Sequence, residues 1–301
     1  MLAGLALAVS LGVAATLSPL LGTQAPWEVR RADHARPGGK FEHPLLRESS
    51  GVVASRRQPG ILWTLNDSGN DAAIFATDTL GRDHGAFAVA GAENWDWEAI
   101  AIGPCGPRDC LYIADTGDNG RTRPSVRIYR VTEPSVAATG SRPPRAEVLE
   151  VRYPNGPRDV EAAFVGTDGA VYLVAKGRGR SPRAYRIPAE AWESDQTVVA
   201  EDAGRLPIST GGLGNQVTDA ALSPSGDLVA VRTYLAIYLF TLTRQGTLVP
   251  LGIACDAAGL QLQGEGISWL DDRVLVLTSE GGFGSPGTIV LLECGDARRD
   301  H

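Results

Sequence analysis

Asp96-Trp97-Glu98-Ala99-Ile100-Ala101-Ile102, a short Cys105…Cys110 loop, Leu111-Tyr112-Ile113-Ala114 and Asp115-Thr116-Gly117-Asp118-Asn119-Gly120 form the stretch that decides how this chain folds. An acid opens one apolar run, a loop reverses the chain, and an acid-rich turn closes the next run. Short runs rich in β-branched and aromatic residues, bounded by Gly, Pro and Asp, read as strands. The pattern recurs. Aligning a polar residue, a small one and an apolar pair gives Ser50-Gly51-Val52-Val53, Glu98-Ala99-Ile100-Ala101, Glu161-Ala162-Ala163-Phe164, Asp219-Ala220-Ala221-Leu222 and Glu265-Gly266-Ile267-Ser268.

A second apolar run follows each copy, at Ile61 to Leu65, Leu111 to Ala114, Val171 to Val174, Leu228 to Val231 and Val274 to Leu277. Third runs follow near Ile74, Ile128, Tyr185, Tyr238 and Val290, and weaker fourth ones near Ala88, Leu149, Val199 and Val249. Units 46 to 63 residues apart, each of four strands, predict an all-β fold, a β-propeller. Five blades is the literal count. Six stays open if one of the longer units, or the segment 206–216, hides a degenerate blade. The last copy has no room for a fourth strand, and Trp27-Glu28-Val29-Arg30 is expected to supply it, because a closed array leaves no long unpaired edge.

The 301 residues suit a single propeller domain over 26–301, and 36 Gly with 19 Pro favour many short strands over helices. A net charge of −7 argues against a nucleic-acid partner. Residues 1–25 carry no charge and read as a signal peptide cleaved after Ala25, or as a retained membrane anchor; either means export, and no other uncharged run is long enough to span a bilayer. Four cysteines fit an oxidising compartment. Cys105 and Cys110 bracket a hairpin that a disulfide can staple, which leaves Cys255 to Cys294. A monomer is expected.

Antiparallel strands place the start of each innermost strand and the turn after its second strand at the same end of the axis. One face is therefore expected to carry an inner ring of Ser50, Glu98, Glu161, Asp219 and Glu265. Around it a second tier is expected from Asn66, Asp67, Asp115, Asp118, Asn119, Lys176, Arg232 and Glu280. Converging acids repel one another unless their pKa values rise or a cation sits among them. Oxygen ligands without His favour Ca²⁺ or Mg²⁺ over zinc, so Glu98, Glu161, Asp219 and Glu265 are the candidate metal ligands. A salt-bridge network built on Lys176 and Arg232, or a solvated channel mouth, are the alternatives. Trp95 and Trp97 flank Asp96 and suit packing between blades, with a ring-stacking platform for a ligand as the sharper reading of Trp97.

The turns at Asn66 to Asp71 and Asp115 to Gly120 hold more Asp and Asn than a turn needs, although Gly there serves the backbone alone. An EF-hand is excluded, since Gly117 and Val126 fall on ligand positions. His34, His43, His84 and His301 avoid the repeat positions and no Gly-x-Ser-x-Gly elbow is present, so Ser-His-acid catalysis is poorly motivated. Carboxylate-driven or metal-assisted hydrolysis stays open.

Asn66-Asp67-Ser68-Gly69, Asp96 to Ala101, Asp115 to Asn119, Thr218 to Pro224, Arg232-Thr233-Tyr234, Gly264 to Ile267 and Ser279-Glu280-Gly281 together resemble a group of exported bacterial β-propellers of unassigned activity. That group is distantly similar to phytase-like and gluconolactonase-like propellers. The resemblance spans nearly all of residues 48–294 and implies a propeller, export and calcium at the channel. Only Lys176 and Arg232 are basic at repeat positions, fewer than a phytase phosphate pocket carries, so no reaction comes with it. Three readings follow: a binding protein for a cation and a small or polymeric ligand, a metal-dependent hydrolase of a phosphoester or lactone, and an envelope scaffold.

Overall fold

A computed structural model describes residues 27–31, 34–138, 145–209, 211–282 and 284–294, so the expected leader at 1–25 lies outside the described residues. Five antiparallel sheets close into a ring, the five-bladed propeller that the repeat implies. Innermost strands are Ser49–Ala54, Trp97–Pro104, Val160–Val165, Val217–Leu222 and Gly264–Trp269. We number the blades 1 to 5 in that order, and the innermost strand of each touches that of the next, with blade 5 meeting blade 1. Among its described residues the segment 206–216 holds only a short 3₁₀ turn at Leu213–Asn215 and no strand of a sixth blade. No helix among the described residues is long and apolar enough to cross a membrane.

Inner and second strands are covered on both faces by neighbouring blades, so their sequences are continuously apolar; Leu62–Asn66 and Val171–Ala175 are buried throughout. Outer strands alternate, as in Glu147–Arg152. The core is correspondingly divided into five packed seams, one for each pair of neighbours. Between blades 2 and 3, for example, Tyr112 and Leu149 pack with Leu173 and Tyr185. Near the axis the backbones converge: a Cβ on Gly51 would lie 2.9 Å from the Ile100 nitrogen. That crowding is why a small residue follows each inner polar position.

Ring closure uses the N-terminal segment differently from the expectation. Arg36–Lys40, not residues 27–30, adds the fourth strand of blade 5 against Thr288–Glu293. Glu28–Arg30 instead pairs in parallel with Ile253 to Cys255 on the outer strand of blade 4, its Trp27 ring against Tyr238 and Phe240. In blade 3 the fourth strand is Glu201–Arg205, while Val198–Val199 extends blade 2 as a fifth, parallel strand. Disulfides join Cys105 to Cys110 and Cys255 to Cys294, which points to an oxidising environment.

Candidate functional site

Every inner strand carries an irregularity in its pairing at its polar start. Pairing with the second strand skips Ser50 in blade 1, Glu98 in blade 2 and Glu161 in blade 3. A bulged residue is pushed off the ladder, and here that turns the side chain toward the axis. In blade 4 the skipped residue is Thr218, while Asp219 pairs with Arg232. The axial ring is therefore Ser50, Glu98, Glu161, Thr218 and Glu265. The residues that follow the paired end of each second strand are Asp67, Thr116, Lys176, Tyr234 and Glu280, so Thr116 stands where Asp115 was expected and Tyr234 where Arg232 was.

Asp219 and Arg232 thus belong to the frame rather than to the funnel. Asp219 is fully buried, its Oδ2 accepting the Ile267 amide (2.9 Å) and Oδ1 the amide of Ala220 (2.8 Å). Arg232 Nη1 donates to the carbonyls of Gly266 (2.6 Å) and Thr278 (2.8 Å), and Nη2 to Gln261 Oε1 (2.8 Å). Burial pulls this guanidinium down to about 10. Thr218 and Thr116 do similar work across seams, donating to the carbonyls of Glu265 and Val160, each at 2.9 Å.

Other expected contacts are also internal. Asn66 accepts the amides of Arg47 and Glu48 at 3.0 Å and locks the loop before blade 1. Asp118 accepts the amides of Thr122 (2.8 Å) and Arg123 (2.9 Å) and so caps its own turn. Asp115 is fully buried, accepts the Asp96 amide (3.1 Å) and pairs with Arg123 (3.0 Å). Asn119 is exposed and accepts from Arg178. Trp97 is wholly buried with its Nε1 donating to the Glu93 carbonyl (2.9 Å), so it packs and cannot stack on a ligand. The exposed ring is Trp95, 65% accessible, with the guanidiniums of Arg123 and Arg127 at 5.3 and 5.7 Å from its centroid.

What the fold does bring together is a knot of carboxylates at the mouth of the axis. One oxygen each from Asp67, Asp96 and Glu98 lies within 4.8 Å of the others, and the same holds for Glu98, Asp159 and Glu161. Glu98 belongs to both triads. Its Oε2 accepts from Ser50 Oγ (3.3 Å), and among the described residues it forms no salt bridge. Glu161 takes the Lys176 ammonium at 2.7 Å, and Asp159 takes Arg178 at 2.8 Å. Glu265 accepts from the Tyr234 hydroxyl (3.2 Å), and Glu280 from Gln263 Nε2 (3.0 Å). Gly117 lies beneath the first triad: a Cβ there would sit 2.3 Å from Glu98 Oε1 and 2.4 Å from Asp96 Oδ2.

Burial and mutual repulsion raise Glu98, Glu161, Glu265, Glu280 and Asp96 together. Glu98 is lifted well above the usual range by burial, then by Glu161, Asp67 and Asp96. Burial pushes Glu161 to about 8 against the pull of Lys176. Glu265 and Glu280 reach about 7, each through burial first; the charge of Glu280 adds to the former and that of Asp67 to the latter. Asp96 reaches about 6 through burial and Asp67. Lys176 is drawn down by burial, yet Glu161 and its neighbours outweigh that and hold it raised. Further along the axis the polarity changes. The later halves of the inner strands line a cavity of ≈ 300 Å³ with Val52, Ile100, Ala163, Ala221 and Ile267.

Asp96 and Asp159 were not among the ligands expected from the sequence. The signal was present, however: Asp96-Trp97-Glu98 and Asp159-Val160-Glu161 repeat an Asp-x-Glu spacing in adjacent blades. Each pair converges, Asp96 with Glu98 in the first triad and Asp159 with Glu161 in the second.

No family model and none of the curated proteins matches the chain. Among solved structures it is similar to the PQQ-bound aldose sugar dehydrogenase from Streptomyces coelicolor, with a TM-score of 0.52 and 12% identity over 86% of this chain and 98% of that one. It is also similar to virginiamycin B lyase from Staphylococcus aureus, with a TM-score of 0.40 and 15% identity over 81% of this chain and 65% of that one. The first likeness is one of fold, a distant propeller relationship; the second is too loose to build on.

Proposed function

We propose that the chain is an exported binding propeller whose axial mouth holds a divalent, oxygen-preferring cation, Ca²⁺ ahead of Mg²⁺, with a small or polymeric ligand seated against it. The observation that carries this reading is the sharing of Glu98 between two carboxylate triads. Five acids in two triads joined at Glu98, answered directly by Lys176 and Arg178, leave Asp67, Asp96 and Glu98 to be neutralised by protons or by a metal. The donors are all carboxylate oxygens, which suits a hard cation of flexible coordination, and among the described residues neither His nor Cys joins the triads to select zinc. A fold-level likeness does not bring a neighbour's quinone with it, so none is assigned.

The test is a thermal melt of EDTA-treated protein with Ca²⁺, Mg²⁺ and Zn²⁺ added separately. At a hundredfold excess over Kd, linkage stabilises the folded state by about 2.7 kcal/mol. Ca²⁺ is expected to raise the Tm, and Glu98→Gln to remove the gain. A flat response to every cation refutes the site. The same geometry also serves metal-dependent hydrolysis; turnover of phosphoesters or lactones that disappears in Glu98→Gln would make the site an active one.

A further inference from the structure

Immediately beside the acids the charge reverses. A cleft of ≈ 130 Å³ is lined by Arg121, Arg158, Arg178, Arg183 and Arg205, with Arg180 and Lys176 completing it. In a chain of net charge −7 this is a dense concentration of positive charge. Part of it is balanced: Arg178 pairs with Asp159 (2.8 Å) and Arg183 with Asp202. The rest is not. Arg158 donates to the carbonyls of Pro157 and Asn155, both at 2.7 Å, and Arg205 to that of Ser181 (3.0 Å). Those bonds satisfy N–H groups but leave the charge uncompensated. Arg121 is held at φ 52°, the left-handed region that residues other than glycine seldom occupy, by a turn whose amides are pinned on Asp118. None of Arg121, Arg158 and Arg205 forms a salt bridge among the described residues.

We propose that this cleft is an oxyanion subsite that takes a tetrahedral group, the phosphate or sulfate ester of the ligand. A planar carboxylate satisfies one guanidinium fork and one charge; three uncompensated guanidiniums call for more charge and for oxygens spread in three dimensions. The volume is well below the roughly 300 Å³ of a small whole-ligand pocket, so the cleft seats one group of a ligand rather than the ligand entire. It is equally too small, and too near the acids, for a nucleic-acid backbone. Asp159 lines the cleft and also belongs to the Glu98 triad, so the two sites share a wall. Placing both ends on one ligand rests on the cation reading above; the oxyanion subsite itself does not.

The experiment titrates EDTA-treated protein, at constant ionic strength, with inorganic phosphate, inorganic sulfate and acetate, following heat and Tm. Phosphate or sulfate is expected to bind and acetate not to; a response to phosphate alone or to sulfate alone identifies which ester is recognised. The double variant Arg158→Gln/Arg205→Gln is expected to weaken that binding at least tenfold while keeping its calcium-dependent Tm, and Arg121→Gln, at an exposed position, provides the milder check. Equal binding by the variants, no binding of either tetrahedral anion, or acetate binding as tightly as phosphate would each overturn the assignment. Loss of the calcium response with oxyanion binding intact would instead sink the cation reading and leave the cleft standing.

Discussion

A methyl group on Gly117 would intrude within 2.4 Å of both Glu98 and Asp96, whose carboxylates occupy the space over that glycine. Gly117→Ala is therefore expected to push the two acids apart. The melting temperature of EDTA-treated protein should change by a few degrees at most, while calcium affinity should fall at least tenfold, measured by calorimetry. Arg232 makes the opposite case. Replacing it with Leu leaves the carbonyls of Gly266 and Thr278 buried without donors, and such losses cost about 3–5 kcal/mol. Urea unfolding should show that loss, with the calcium-dependent gain retained because the side chain faces the blade 4 to blade 5 seam. A ligand role for Arg232 would show the reverse.

Among the elements, the bulge at the head of each inner strand separates what could be read from the chain and what could not. Four-strand units and their order were legible because an apolar run buried on both faces leaves a strong signal in composition. The one-residue shift in blade 4 was not. Thr218-Asp219-Ala220-Ala221 offers two polar residues before a small one, and the sequence pattern alone does not say which is skipped by the ladder. An alignment on Asp219 brings Arg232 with it, whereas the ladder skips Thr218 and leaves Tyr234 just beyond the paired Thr233. The closing strands were misplaced for a related reason: Arg36-Pro37-Gly38-Gly39-Lys40 has none of the composition of a strand, and its pairing is dictated by the exposed edge of Thr288–Glu293. Loop size ranks the two disulfides. Cys255 and Cys294 are 39 residues apart and Cys105 and Cys110 only 5. Chain entropy then predicts that removing the first pair costs about 4 kcal/mol and removing the second about 2. Paired Cys→Ser variants compared by denaturant unfolding check that order, and a larger loss at Cys105–Cys110 would contradict it.

For the whole molecule, the funnel sets how stability depends on pH. Glu161 near 8, Glu265 and Glu280 near 7 and Asp96 near 6 all hold protons in the folded state at pH values where the unfolded chain has released them. The folded form thus binds more protons between about pH 4.5 and 8, so stability declines as pH rises through that window. EDTA-treated protein is expected to melt higher at pH 5.5 than at pH 8. Calcium competes with those protons, so its stabilising effect should grow over the same range, and a Tm of the metal-free protein that climbs with pH would contradict the account.

The crossing of the N-terminal segment over blades 4 and 5 has a consequence for how the molecule is made. Arg36–Lys40 leaves the ribosome or the translocation pore long before Thr288–Glu293, the strand it pairs with among the described residues. Until those last residues emerge, four finished sheets stand as an open arc with a sticky flank at each end. Biogenesis of the ring is consequently all-or-nothing at the final step, and a nascent chain stalled just short of it is the species most in need of a chaperone.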